Sequence, residues 1–179
     1  GWMYENGRGV AQNDGEAVKW YRAAADQGDA DAQTRLGSMY ASGQGVPQDH
    51  VEAAASYLKA AEKGNARAQN NLGGMYYRGD GVPQDYDEAV KWYHKAAQQG
   101  DASAQYKLGA LYYHGKVAPR DYATAAQWYR KAAEQGLASA QDNLGYMYAN
   151  GRGVPENNAE AVTFWGDGSP TREFLYVED

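Results

Sequence analysis

Cysteine is absent from the 179 residues, and so is isoleucine. The first absence excludes disulfides, thiolate metal sites and a cysteine nucleophile, and it leaves the redox compartment open. Leucine, valine and phenylalanine together number only 20, a level that by composition alone points towards disorder. Histidine is scarce as well: His50, His94 and His114 stand apart, none within helical reach of another, so no imidazole pair for metal binding is expected. Positive charge is the minority sign. Seventeen Lys+Arg against 23 Asp+Glu give a net charge of −6, which argues against nucleic acid as a partner, because that affinity rests on Lys and Arg neutralising phosphates. Apolar runs last only a few residues, far short of the roughly 20 needed to cross a bilayer, so no membrane insertion is expected. No charged-then-apolar leader opens the sequence and no Asn-x-Ser/Thr acceptor occurs.

What is present reverses the first impression. Sixteen Tyr, five Trp and 32 Ala allow large rings to bury area against backbones brought close by small residues, so a folded, helix-leaning chain is expected. Gly1, Gly37, Gly73, Gly109 and Gly145 recur every 36 residues without slippage. Around them runs L-G-x-M-Y-x-x-G-x-G-V-P, as in Leu36-Gly37-Ser38-Met39-Tyr40 and Leu144-Gly145-Tyr146-Met147-Tyr148. A second block, E-A-V-K-W-Y-x-x-A-A-x-x-G, follows each time, as in Glu16 to Gly28 and Glu88 to Gly100.

Each copy reads as two helices. Helix A is expected over 30–42, 66–78, 102–114 and 138–150, where Ala32, Gln33, Leu36, Gly37, Met39 and Tyr40 share one arc. Helix B is expected over 14–27, 50–63, 86–99 and 122–135, with Ala17, Tyr21, Ala24 and Ala25 on its buried face. Asp29, Asn65 and Asp101 sit where helix A needs N-caps, and Asp49 with Glu52 and Asp85 with Glu88 have capping-box spacing for helix B. Gly28, Gly64, Gly100 and Gly136 are placed to close helix B in the left-handed region. The Gly-x-Gly-Val-Pro connectors lack the preceding strand and following Lys-Ser/Thr of a phosphate loop, so they read as turns, with Pro47, Pro83, Pro119 and Pro155 preventing continuation of helix A. One connector departs to Gly115-Lys116-Val117-Ala118-Pro119, for which another turn shape is expected.

The pattern A-x-A-Q-x-x-L-G-x-x-Y-x-x-G-x-G-V-P-x-D followed by A-x-x-W-Y-x-x-A-A resembles the Sel-one-like repeat (SLR) family, relatives of the tetratricopeptide repeat. The resemblance covers residues 1–165, about four and a half repeats. It implies an all-α fold, a right-handed α-solenoid of antiparallel helix pairs with truncated repeats at both ends and A helices on the concave side. It also implies scaffold or adaptor work on protein or peptide partners without catalysis or cofactor, in a family that leans to bacteria and, in many cases, to the periplasm or secretion. Residues 166–179 leave the repeat. From Trp165 they are similar to a W-G-x-G-x-P-x-R-E-F stretch of GDP-fucose synthase and related nucleotide-sugar epimerases, whose dinucleotide-binding context is missing here, so they read as a foreign tail, extended or disordered. An alternative is a self-associating module whose tail caps or docks on another copy.

Positions that vary from copy to copy on the arc of helix A opposite its core are the candidates for recognition. Residues 34, 38 and 41 and their equivalents define an outward ladder that is expected to be wet. It carries Asn70, Tyr77, Tyr106, Tyr113 and Tyr146, flanked by Asn71, Lys107 and Asn143 on one side and by Arg78 and His114 on the other. Tyrosine offers a rigid apolar body with a hydrogen-bonding tip, suited to binding hot spots, or to packing between adjacent copies. Asparagine could clamp a peptide backbone through both donor and acceptor. The Trp20, Trp92, Trp128 and Phe164 series reads as packing between repeats, and the acidic run Asp85-Tyr86-Asp87-Glu88 as capping of a helix start.

Overall fold

The computed structural model describes residues 1–116 and 119–165. These contain ten α-helices and no strand: α1 (Trp2–Asn6), α2 (Asp14–Asp26), α3 (Ala30–Ser42), α4 (His50–Glu62), α5 (Ala66–Arg78), α6 (Tyr86–Gln98), α7 (Ala102–His114), α8 (Tyr122–Glu134), α9 (Ala138–Ala149) and α10 (Asn158–Trp165). The odd-numbered helices are the A helices, the even-numbered ones the B helices. Two compact units result, one over Gly1–Gln99 and one from Gly100 onward. The tail 166–179 and the pair Val117 and Ala118 in the divergent connector lie outside the described residues.

Helix starts follow the capping expected from the sequence. The side chains of Asn13, Asp29, Asp49, Asn65, Asp85, Asp101 and Asp121 each accept from a backbone N–H of the first turn they precede, worth about 1 kcal/mol apiece. The capping boxes close differently from expectation. The Asp49 and Asp85 N–H groups donate to the Tyr40 and Tyr76 carbonyls at 2.9 Å, so Glu52 and Glu88 are not needed to satisfy them. The same bond recurs from Asn13 to Tyr4, Asp121 to Tyr112 and Asn157 to Tyr148, and it ties each connector's end back to the helix it left. Helix B ends one residue earlier than expected. In the turn Gln27-Gly28-Asp29, Gly28 N–H donates to Ala25 O and Asp29 N–H to Ala24 O, a Schellman closure that runs straight into the next N-cap. A turn this short makes A and B helices antiparallel neighbours.

The glycine at the centre of each A helix costs helix propensity, and packing explains its place. A Cβ on Gly37, Gly73 or Gly109 would stand 2.8, 2.8 and 2.6 Å from the ring of Tyr57, Tyr93 and Tyr129 respectively, the tyrosine of the following B helix. The ring therefore lies against bare backbone. Alanines complete the contact: in the first unit Ala53, Ala54, Ala60, Ala61 and Ala68 surround Tyr57, Leu72, Met75 and Trp92, and in the second Ala125, Ala126, Ala132, Ala133 and Ala140 surround Tyr129, Leu144 and Met147. The core is ring against small residue, as the composition required. The tryptophan series is uneven, however: Trp92 is 8% exposed and Trp20 56%, while Phe164 stacks on Tyr148 with ring centroids 5.9 Å apart.

Candidate functional site

The arc expected to be wet is partly enclosed. Thr34 is 3% and Asn70 8% exposed, and Gly74 is buried. The reason is that an A helix has a neighbour on either side within a unit: α3 packs against both α2 and α4, and α5 against both α4 and α6. The tyrosine of the following B helix reaches over the supposed outer arc. The Tyr57 hydroxyl donates to Ser38 Oγ at 3.0 Å, and Thr34 Oγ1 turns inward to donate to the Ala30 carbonyl.

The asparagines on the flank serve this framework. Asn71 hydrogen-bonds the Tyr57 hydroxyl and Asn143 the Tyr129 hydroxyl, so their side chains already have partners inside the fold. Burial pushes the hydroxyls of Tyr57, Tyr93 and Tyr129 above the ordinary phenol range.

The four named tyrosines are half-buried. In the first unit Tyr77 leans on Tyr86 at the start of α6, centroids 5.3 Å apart, and the exposed Arg78 beside it pairs with Asp80 at 2.6 Å. In the second unit Tyr106 packs against Tyr129 at 5.6 Å, and Tyr113 contacts Tyr122 at 5.1 Å, Tyr129 at 6.5 Å and His114 edge-on at 5.2 Å. Lys107 is half-buried and His114 exposed. Burial, then the nearby positive charges of Lys116 and Arg120, hold the His114 imidazole below its ordinary value.

One cluster is not marked by any periodicity in the sequence. Arg152, in the connector after α9, donates from Nη1 to the Tyr113 hydroxyl at 2.5 Å. Its guanidinium carbon lies 5.2 Å from the Tyr146 ring centre and 5.8 Å from that of Tyr122. Thirty-nine residues separate Arg152 from Tyr113, and no helical periodicity links them. The only signal in the sequence was that Tyr113, Tyr122 and Tyr146 fall on neighbouring helix ends once the helices are paired.

No group of three or more His, Asp or Glu among the described residues could hold a metal ion, and no described helix is long and apolar enough to cross a membrane.

These features define a class, the all-α repeat protein built of Sel-one-like helix pairs. The family model for the Sel1 repeat matches five times, over residues 1–29, 30–65, 66–101, 102–137 and 138–165, and the chain belongs to that family. Among solved structures it is similar to a protective antigen present in uropathogenic Escherichia coli strains that displays an SLR fold, with 40% identity and a TM-score of 0.90 over 92% of this chain and 35% of that one. It is also similar to a Sel1 repeat protein from Oxalobacter formigenes, with 39% identity and a TM-score of 0.87 over 92% of this chain and 67% of that one. The chain thus spans about a third of the length of the first of these relatives. None of the curated proteins matches it.

Proposed function

We propose that the chain is a non-catalytic scaffold that binds a protein or an extended peptide along its A helices. Sel1-repeat proteins generally serve protein interaction. The observation that supports this face is a division of labour within each repeat. Positions that recur, such as Leu36, Gly37 and Met39 with Tyr57, are consumed in packing, whereas the variable positions leave half-buried rings and polar tips at the surface. Tyr77 with Arg78 in the first unit, and Tyr106, Lys107, Tyr113, His114 and Tyr146 in the second, are the contacts we assign to partners. Asn71 and Asn143 sit beside them and hold the framework rings of Tyr57 and Tyr129 in place, and Asn70 is buried. Rigid tyrosines lose little entropy on binding and offer both area and a hydrogen bond.

A peptide-display selection on the intact chain tests this. The charge reversals Arg78→Glu with Lys107→Glu on A helices are expected to weaken the selected peptides by roughly tenfold or more, and Lys95→Glu with Lys131→Glu on B helices to leave them unchanged. The opposite pattern contradicts the reading. The domain division at residue 165, with the tail capping or docking on another copy, remains a separate proposal. Truncation at Gly166 followed by light scattering tests it: unchanged association removes the idea.

A further inference from the structure

Arg152 is held by three tyrosines, whereas Arg22 and Arg130 each donate to the hydroxyl of one. Its head is held by a hydroxyl and two ring faces, all tyrosine: the Tyr113 hydroxyl at 2.5 Å and the rings of Tyr146 and Tyr122. No carboxylate pairs with it among the described residues. Arg35 pairs with Glu5 and Arg78 with Asp80, whereas Arg152 meets tyrosines instead. The charge is fixed, as for any guanidinium, and the hydrogen bond that Arg152 donates to the Tyr113 hydroxyl holds its pKa further above the ordinary value. Aromatic faces hold a guanidinium flat without covering its edge, and the edge is where a carboxylate binds through two parallel N–H donors. Among the described residues one of the five donors is used, on Tyr113.

Two further cations lie near Tyr113's neighbour His114. His114 stacks edge-on against Tyr113 and feels the positive charges of Lys116 and Arg120. In a chain of net charge −6, Lys116 and Arg120 near His114, and an Arg152 that no acid pairs with among the described residues, put positive charge beside Tyr113 against the overall balance.

We propose that this tyrosine-held arginine is the receptor for an acidic segment of the partner, a stretch whose aspartate or glutamate carboxylate forks onto Arg152 while its chain lies over Tyr113 and Tyr146. The proposal deepens the scaffold reading and rests on it. A cationic partner is disfavoured because the rings that would receive it are already occupied by Arg152.

The test uses the intact chain and two labelled peptides of Gly-Ser background, one carrying glutamates and the other lysines at the same positions, read by fluorescence anisotropy. The glutamate peptide is expected to bind and the lysine peptide not, with affinity falling as salt is raised. Arg152→Gln is expected to lose roughly tenfold or more, and Arg152→Lys to recover only part of it, because a point charge cannot reproduce the fork. Tyr113→Phe keeps the ring in the core and removes only the hydroxyl that aims the guanidinium. It is expected to weaken binding severalfold while the helical melt is retained, and it carries the test if the Arg152 variants melt early. Equal binding of both peptides, or a glutamate peptide indifferent to Arg152→Gln and Tyr113→Phe, overturns the proposal. Display-selected peptides that depend on Arg78 and Lys107 while the glutamate peptide fails to bind overturn this inference and leave the scaffold reading standing. Selected peptides that ignore the A helices overturn both.

Discussion

The two units carry nearly the same aromatic pair and different electrostatics beside it. Tyr77 meets Tyr86 at 5.3 Å in the first, and Tyr113 meets Tyr122 at 5.1 Å in the second. Beside the first pair Arg78 is neutralised by Asp80 at 2.6 Å; beside the second, Arg152 rests on tyrosines with no acid paired to it among the described residues. Backbone and ring packing are therefore common property of the repeat, while charge at its edge is set copy by copy. A scaffold built this way can change what it binds without changing how it folds.

A second difference lies inside the fold. Gln69 Nε2 donates to the Ala61 carbonyl and its Oε1 accepts from Gln99 at 2.8 Å. Gln105 Oε1 likewise accepts from Gln135 at 2.8 Å. Gln33 donates to Ala25 in the same manner, yet its Oε1 is buried without a partner. The residue 30 positions on is Lys63 instead of glutamine, and its ammonium has turned away to the Gly28 carbonyl at 2.5 Å.

The largest expected effect attacks the shared framework. Gly73→Ala and Gly109→Ala each drive a methyl into a tyrosine ring at 2.8 and 2.6 Å, and each is expected to cost about 1–3 kcal/mol of stability in urea unfolding despite alanine's better helix propensity. Two similar losses support a common framework, whereas a gain at either site breaks it. Next, Lys63→Gln is expected to stabilise by about 1 kcal/mol by giving Gln33 Oε1 the donor that Gln99 and Gln135 supply elsewhere. An unchanged midpoint shows that Gln33 is satisfied by water.

Two smaller effects sharpen the electrostatic contrast. Asp80→Asn releases Arg78 beside Tyr77 and is expected to raise affinity for the glutamate peptide by about two- to fivefold, the worth of an exposed ion pair; no rise means that Arg78 lacks the setting Arg152 has. His114 gives the pH dependence. Unfolded, it takes up its proton near the ordinary 6.5, and folded only at lower pH, because partial desolvation of the ring, then Lys116 and Arg120, oppose the charge. The unfolded state thus binds more protons as pH falls through 6.5, and stability declines there. His114→Gln is expected to remove that part of the decline, well under about 1 kcal/mol at so exposed a site, as read from melting temperatures between neutral pH and pH 5.

How far the sequence disclosed this arrangement depended on the range of each interaction. Caps such as Asp29 and Asn65, three residues from the N–H they bind, are legible because the contact is local. The wheel of helix A also identified Leu36, Gly37 and Met39 as core. It misjudged Thr34, Asn70 and Gly74, because a single helix's periodicity marks one buried stripe and cannot report the second neighbour whose tyrosine covers the other side. Arg152 was invisible for the same reason: its partners come from three separate elements, and nothing periodic announces a side chain reaching back over them.

Backbone hydrogen exchange of the intact chain, with and without a bound peptide selected for affinity, tests the central claim most directly. Added protection at the C-terminal turns of the A helices, above all around Tyr77, Tyr113, Tyr146 and the connector holding Arg152, is the predicted result. Protection confined to the B helices, with those turns unchanged, would contradict the assignment of recognition to the A-helix face.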